Sequence, residues 1–142
     1  MRKDLRERFA KECRYAVVKM QESPTPAKKL FYFSVIFGEA QRIFNWQWEQ
    51  DVALIHMVTE QTYSRLNAAN QNITTVAFLA TEGEKVYAQL TQAASDLATY
   101  LEKTGDKDSK EELFNVLGRL SEIGYTVSGN GIYLYEKGMI KL

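Results

Sequence analysis

The stretch LFYFSVIF, residues 30–37, decides the fold because it is apolar on nearly every side. It is too short to cross a bilayer, which takes about 18 consecutive apolar residues. A helix that is apolar all round is one that other helices surround. In a chain of 142 residues, such a helix predicts a bundle of more than three helices, or burial within an oligomer.

The helix that contains this stretch is predicted to run from about Pro26 to Asn45, with Thr25 as its N-cap. Its small residues Ser34, Gly38 and Ala40 allow a neighbouring helix to approach closely, and they also suit a subunit contact. The sequence therefore predicts a central helix that packs on several sides.

Apolar residues recur every three or four positions in four further segments, which predicts four more main helices. These segments cover about residues 2–22, 48–69 and 81–103, and a last segment that starts at about 109. Thr81-Glu-Gly-Glu84 and Ser109-Lys-Glu-Glu112 have capping-box spacing and predict the starts of the last two helices. Residues 73–80 are open to a strand, a helical turn or an irregular packed segment, and we favour the irregular segment.

The C-terminal stretch 124–142 has two readings of equal weight. Asn130-Gly131 between short apolar runs is typical of a β-hairpin. Alternatively, the fifth helix ends near Ser128 and a short helix follows. The predicted fold class is an all-α, antiparallel up-and-down bundle of about five helices in a single domain, 1–142, with a small C-terminal hairpin or short helix. We find no internal repeat or low-complexity tract.

Charge is unevenly distributed, although the formal net charge is zero. Residues 1–29 carry nine basic and four acidic side chains, a net charge of +5, so the remainder carries −5. A basic arm of this kind can bind nucleic acid or a membrane, or it can pack on acidic partners within its own fold or oligomer. We favour packing within the fold because acidic residues interrupt the basic run, so we expect no nucleic-acid partner.

The single cysteine, Cys13, lies within the apolar stripe of the first helix, which is typical of a buried small side chain. One cysteine excludes an internal disulfide or a cysteine-based zinc knuckle. The first residues, MRKDLRERFAKE, lack the apolar stretch of a signal peptide. We therefore expect a cytoplasmic protein without a membrane partner.

Rare residues crowd into RIFNWQWEQDVALIHM, residues 42–57, which holds both tryptophans and the only histidine. If the second and third helices form an antiparallel hairpin, Arg42 lies opposite Asp51 and can form an ion pair. Trp46 and Trp48 are two positions apart and cannot share a helix face. One of them should project, and a projecting tryptophan favours a subunit contact.

Glu49, His56 and Glu60 are spaced to share one flank of the third helix. His56 and Glu60, with Glu39 near them, could hold a metal, but a ferritin-type site requires more histidines. We favour a boundary histidine bonded to Glu60 or a tyrosine, and we expect no metal and no cofactor. The candidate ligand or contact region is Glu39, Arg42, Trp46, Trp48, Glu49, Asp51, His56 and Glu60.

Catalytic motifs give no support for an enzyme. Cys13 and His56 lie on different predicted helices with no third group to orient a base. The sequence has no nucleophile elbow and no Walker loop. SGNG at 128–131 could bind an anion through backbone amides, but turns of this kind are usually only turns. We therefore expect no catalytic residue and leave enzymatic activity open while favouring its absence.

Two stretches, KLFYFSVIFGEAQRIFN and SGNGIYLYEKG, resemble segments of a small group of uncharacterised archaeal helical proteins. The bundle of that group is similar in shape to the corrinoid adenosyltransferases. The resemblance implies an up-and-down bundle and oligomerisation, but no activity. RKDLRERFAKE lacks the nucleotide loop of the adenosyltransferases, and only Arg42 and Arg65 are candidates for their later arginines.

These observations predict a non-catalytic interaction or scaffold protein that acts as a homo-oligomer, a dimer or a trimer. The first alternative is a bundle enzyme that binds a nucleotide or corrinoid-type small molecule near Arg42, Asp51 and His56. The second is a nucleic-acid-binding accessory protein that uses the basic first helix.

Overall fold

The computed structural model describes residues 1–46, 49–103 and 110–142, with the backbone alone at Trp46. Over these ranges the chain forms six helices and no strand. They are α1 (Lys3–Glu22), α2 (Pro26–Trp46), α3 (Gln50–Ala69), α4 (Ile73–Glu102), α5 (Lys110–Thr126) and α6 (Gly129–Glu136). The predicted all-α bundle is confirmed. The predicted cap Ser109 and the connection 104–109 lie outside the described residues.

The five long helices form a closed ring in the order α1, α2, α3, α5, α4. Arg8 reaches Glu39 on α2 and Arg6 reaches Leu101 on α4, so α1 is antiparallel to both neighbours. The pairs Lys103–Glu112 and Asp96–Arg119 likewise make α5 antiparallel to α4. In this ring α5 lies between α3 and α4, and it runs parallel to α3.

The core lies inside this ring and is built from the predicted apolar stripes. On α1 these residues are Phe9, Cys13, Val17 and Met20, and on α4 they are Val86, Leu90, Ala94, Leu97 and Leu101. All nine are almost completely buried. Burial of each larger side chain contributes about 1.5–3 kcal/mol relative to exposure, so the stripes account for the ring.

Helix α2 begins as its sequence predicts, because the Thr25 hydroxyl accepts a hydrogen bond of 3.3 Å from the Lys28 N–H. Leu30, Phe33, Ile36, Ala40 and Ile43 face the core and are buried. The outward side of α2 is only partly covered, since Phe31 keeps 62% of its surface exposed. The helix is therefore central to the core without being enclosed by its own chain.

Helix α4 is longer than predicted, and both predictions for its start are wrong. Residues 73–80 are helical, and the helix begins at Ile73, where the Asn72 side chain accepts hydrogen bonds from Thr74 N–H (2.9 Å) and Thr75 N–H (3.4 Å). The Thr81 hydroxyl donates to the Phe78 carbonyl within the helix instead of capping a new one. A single 30-residue helix results, about 45 Å long.

The C-terminal stretch forms a short helix, so the hairpin reading is wrong. Ser128 caps α6 by accepting a hydrogen bond of 3.2 Å from Gly131 N–H. A Cβ at Gly131 would lie 1.8 Å from the Tyr125 carbonyl oxygen, so only glycine allows α6 to fold back this tightly onto the end of α5.

None of the helices in the described ranges combines the length and apolarity that crossing a membrane requires.

Candidate functional site

The most buried charge of the predicted region is the carboxylate of Glu39 on α2, of which 4% is exposed. Arg42 donates a hydrogen bond of 3.1 Å to Glu39 Oε2. Arg8 Nε lies 3.3 Å from Glu39 Oε1 at ion-pair distance, although this oxygen accepts no hydrogen bond. The buried carboxylate therefore joins α1 to α2, although Arg8 itself is 55% exposed. A contact of this kind fixes helix register more than it adds stability.

The predicted ion pair between Arg42 and Asp51 does not form. Asp51 Oδ2 lies 3.5 Å from the amino group of Met1, and Glu49 Oε2 lies 2.9 Å from the same amino group. The ion pair was predicted from α2 and α3 alone. The N-terminal segment supplies competing cations, because Met1, which precedes α1, reaches α3 and Arg8 on α1 reaches α2 at the same end of the bundle.

The Met1 amino group is affected by burial and by its acidic partners in opposite directions. Burial lowers its pKa, but the hydrogen bond to Glu49 and the charges of Asp51 and Glu49 outweigh burial. The pKa is consequently raised above its usual value of 8.0, and the group stays protonated at neutral pH. These charges attract the N-terminal end of α1 to the start of α3.

His56 belongs to a separate contact on the flank of α3. Its ring stacks on Phe44 of α2 at 5.9 Å between centroids, with an interplanar angle of 11°. His56 Nε2 lies 2.9 Å from Glu60 Oε2, and this is an ion pair only while the imidazole is protonated. His56 and Glu60 are therefore neighbours as predicted, but the buried Nε2 atom makes no hydrogen bond, so the predicted bond is not formed. Glu49 contacts Met1 instead.

The eight predicted site residues thus divide into separate groups. Arg42 pairs with Glu39, which also contacts Arg8 of α1. Glu49 and Asp51 contact Met1, and His56 lies at ion-pair distance from Glu60. Trp48 and the side chain of Trp46 lie outside the described residues, so the projecting tryptophan stays a prediction. Within the described ranges, no group of three or more histidine, cysteine, aspartate or glutamate side chains could hold a metal ion.

The basic side chains of α1, which sequence reasoning did not assign individually, are used within the fold. Arg6 donates to the backbone carbonyls of Tyr100 (2.7 Å) and Leu101 (3.2 Å) on α4. Arg14 donates to both carboxylate oxygens of Glu102, at 2.8 and 3.0 Å, and to the Thr99 hydroxyl at 3.1 Å. With the Arg8–Glu39 pair, these contacts confirm that α1 packs on acidic partners of its own chain.

Cys13 is fully buried between α1 and α4, as its stripe position predicts. Burial raises the pKa of its thiol to about 12. Since the thiolate is the nucleophilic form, this thiol is inert at neutral pH.

A broad groove of about 510 Å³ lies between the C-terminal part of α4 and the start of α5. Its walls carry three carboxylates, from Asp96, Glu111 and Glu112, and one guanidinium, from Arg119. Arg119 pairs with Asp96 at 2.5 Å and Lys103 pairs with Glu112 at 3.0 Å. Much of the lining charge is therefore already paired, and Glu111 is the carboxylate of the groove with no ion pair to the described residues.

The outward face of α2 carries an apolar side chain that the rest of the chain leaves uncovered. Phe31 is 62% exposed and contacts the ring of Tyr32 edge to face, at 5.1 Å between centroids. Gly38, two turns further along the same side, has no atom within 4 Å of where a Cβ would stand. A large apolar side chain and an open hollow thus lie on one line of the helix.

No protein-family model matches the chain, and comparisons with curated proteins and with solved structures find no match either.

Proposed function

We propose that the chain is a non-catalytic interaction protein that acts as a homo-oligomer, with the outward face of α2 as the subunit contact. The observation that carries this proposal is the exposure of Phe31, at 62%, on a helix that is otherwise part of the core. Exposed apolar patches on soluble domains mark interaction sites because burying them away from water is favourable.

The arrangement of this face suits a second copy of the same chain. In a two-fold symmetric dimer the same patch meets itself, so each knob must find a matching hollow on the identical surface. If two α2 helices cross antiparallel with the axis between Ser34 and Val35, Phe31 of each copy lies opposite Gly38 of the other. The phenylalanine ring then fills the hollow that the glycine leaves.

This geometry favours a dimer over a trimer, because a two-fold contact closes with two copies. We also propose a cytoplasmic location, which the single cysteine supports, since secreted domains of this size often rely on disulfides.

Sedimentation velocity tests the proposal with three variants. We expect the wild-type chain to dimerise at tens of micromolar, about the range of weak specific contacts. Phe31→Ser removes the exposed ring. Gly38→Leu fills the hollow, and its Cβ has open space around it apart from the neighbouring backbone of α2. Each should weaken the dimer at least about tenfold, a change of about 1.4 kcal/mol.

The matched control is Met57→Ser, because Met57 on α3 is 57% exposed but lies off this face. It should leave the dimer constant unchanged, with helical content by circular dichroism equal in all variants. A wild-type chain that is monomeric throughout, or a dimer indifferent to both Phe31→Ser and Gly38→Leu, would falsify the proposal.

A further inference from the structure

Helix α4 extends past the end of the helix that covers it. Cys13 lies against the Ala94 carbonyl and Arg6 against the Leu101 carbonyl, which sets the antiparallel pairing of α1 and α4. On that pairing the last residue of α1, Glu22, falls near position 85 of α4. The helix begins at Ile73, so about twelve residues, or about 18 Å, extend beyond α1.

The extension repeats a short sequence of the covered part. Ala-Thr-x-x-Glu occurs at 98–102, as ATYLE, and again at 80–84, as ATEGE. The two copies are 18 residues apart, which is five helical turns, so corresponding residues lie on one line of α4. Both copies therefore present an alanine, a threonine and a glutamate toward the side on which α1 packs, whereas Leu101 of the covered copy is replaced by Gly83.

In the covered copy, α1 occupies this face. Ala94 and Ala98 are fully buried beneath it, and their small side chains allow the two helices to approach closely. Arg14 spans the flank, with hydrogen bonds of 3.1 Å to the Thr99 hydroxyl and 2.8 Å to Glu102 Oε1. The motif thus serves as a receptor for a helix that carries an arginine.

In the second copy, the same receptor is uncovered. Ala80, Thr81 and Glu84 are exposed, Val76 is 41% exposed, and Ile73 is 89% exposed. The Glu84 carboxylate makes no ion pair or hydrogen bond with the described part of the chain. Helix α6 covers a different side of the extension, where Tyr135 bonds Glu82 at 3.3 Å and packs edge to face on Phe78.

We propose that residues 73–84 form a docking site for an amphipathic helix of a partner protein that carries an arginine on the flank of its apolar face. The partner helix lies antiparallel to α4 and continues the line of α1. Its apolar face packs on Ile73, Val76 and Ala80, and its arginine binds Thr81 and Glu84 as Arg14 binds Thr99 and Glu102. The site goes beyond the proposed self-association, because it does not use the outward face of α2.

The direct test uses the helix that already fits this receptor. The probe is a dye-labelled peptide of residues 3–22 with Cys13→Ala, held helical by a lactam between Glu7 and Lys11, which are exposed on α1. Its binding to the full chain carrying Phe31→Ser is followed by fluorescence anisotropy, so that self-association does not interfere. We expect saturable binding that Arg14→Ala in the peptide weakens at least about tenfold.

Variants of the full chain distinguish binding of the peptide at residues 73–84 from displacement of the chain's own α1 by the peptide. Glu84→Arg should weaken binding of the peptide at least about tenfold, and a peptide with Arg14→Glu should regain affinity for that variant. Thr74→Ala, on another side of the extension, is the matched control and should bind as the parent does. Absence of saturable binding overturns the proposal. Binding that survives Glu84→Arg but is lost with Glu102→Arg overturns it too, because the peptide then replaces α1.

Discussion

Helix α4 carries the motif Ala-Thr-x-x-Glu twice, in different surroundings. At 98–102 the alanine is fully buried, and the threonine and glutamate both bind Arg14. At 80–84 the alanine is exposed, the Thr81 hydroxyl donates to the Phe78 carbonyl of its own helix, and Glu84 has no ion pair or hydrogen bond with the described residues. The difference comes from the length of α1, which ends at Glu22 before it reaches the second copy. The alanine is thus core in one copy and surface in the other, whereas the threonine and glutamate are exposed in both and differ in whether an arginine of α1 binds them.

The largest effect should come from Leu101→Ala in the covered motif. Leu101 is 1% exposed, so truncation leaves a cavity and should lower the free energy of unfolding by about 3 kcal/mol. Urea denaturation measures the loss. A loss below about 1 kcal/mol would mean that α1 does not pack tightly on this end of α4.

Arg14→Ala should have the next largest effect. Its ion pair with Glu102 is partly exposed, at 33% for the arginine and 43% for the glutamate, so solvent reduces its value to about 1 kcal/mol. Glu84→Ala in the uncovered motif is the matched change and should stay within about 0.5 kcal/mol of wild type. Equal losses by urea denaturation would contradict the difference between the two motifs.

The pH dependence of stability should report the contact between Arg14 and Glu102 in the covered motif. The hydrogen bond from Arg14 lowers the pKa of Glu102 below its usual value of 4.5. Because the folded-state pKa is lowered, the stabilisation is present above 4.5 and is lost as the pH falls through the lowered value. Urea midpoints between about pH 7 and about pH 3 should show a smaller acid loss for Glu102→Gln. An acid loss in Glu102→Gln as large as in the wild type would refute the assignment.

The smallest effect should be a gain in stability from Gly83→Ala. Gly83 occupies the motif position that Leu101 occupies in the covered copy. A Cβ there would meet only Leu79 Cβ, at an ordinary 3.8 Å. Gly83→Ala should therefore stabilise the helix by about 0.5–1 kcal/mol, because alanine loses less backbone entropy than glycine. Thermal unfolding would show the gain, and a loss would reveal an unrecognised contact on the extension.

Sequence periodicity predicted α1, α2 and the buried stripe of α4 because those helices bury one regular face. It did not predict the start of α4. The run 73–80 is rich in β-branched residues, and Thr81 with Glu84 has capping-box spacing. An N-cap residue acts only at the first turn of a helix, and in α4 that residue is Asn72. A local pattern cannot show that a helix has begun earlier.

The candidate region was harder to predict than the helices because its contacts are long-range. Crowding of rare residues at 42–57 pointed to one site, and the structure divides the charged ones among partners on different helices. The partners of Glu39 and Asp51 include Arg8 and Met1, which come from α1. The sequence feature that points to the uncovered surface is the recurrence of Ala-Thr-x-x-Glu. It can be interpreted only once the position of the end of α1 is known.

The most direct measurement compares thiol reactivity at the two matched alanines of α4. In a Cys13→Ala background, the thiols introduced by Ala80→Cys and by Ala98→Cys are labelled separately with a disulfide reagent under native conditions. The Ala80→Cys thiol should react about as fast as a free thiol, and the Ala98→Cys thiol at least about 100-fold more slowly, because α1 must open before it reacts. Equal rates at the two positions would contradict the claim that one copy of the motif is filled and the other open.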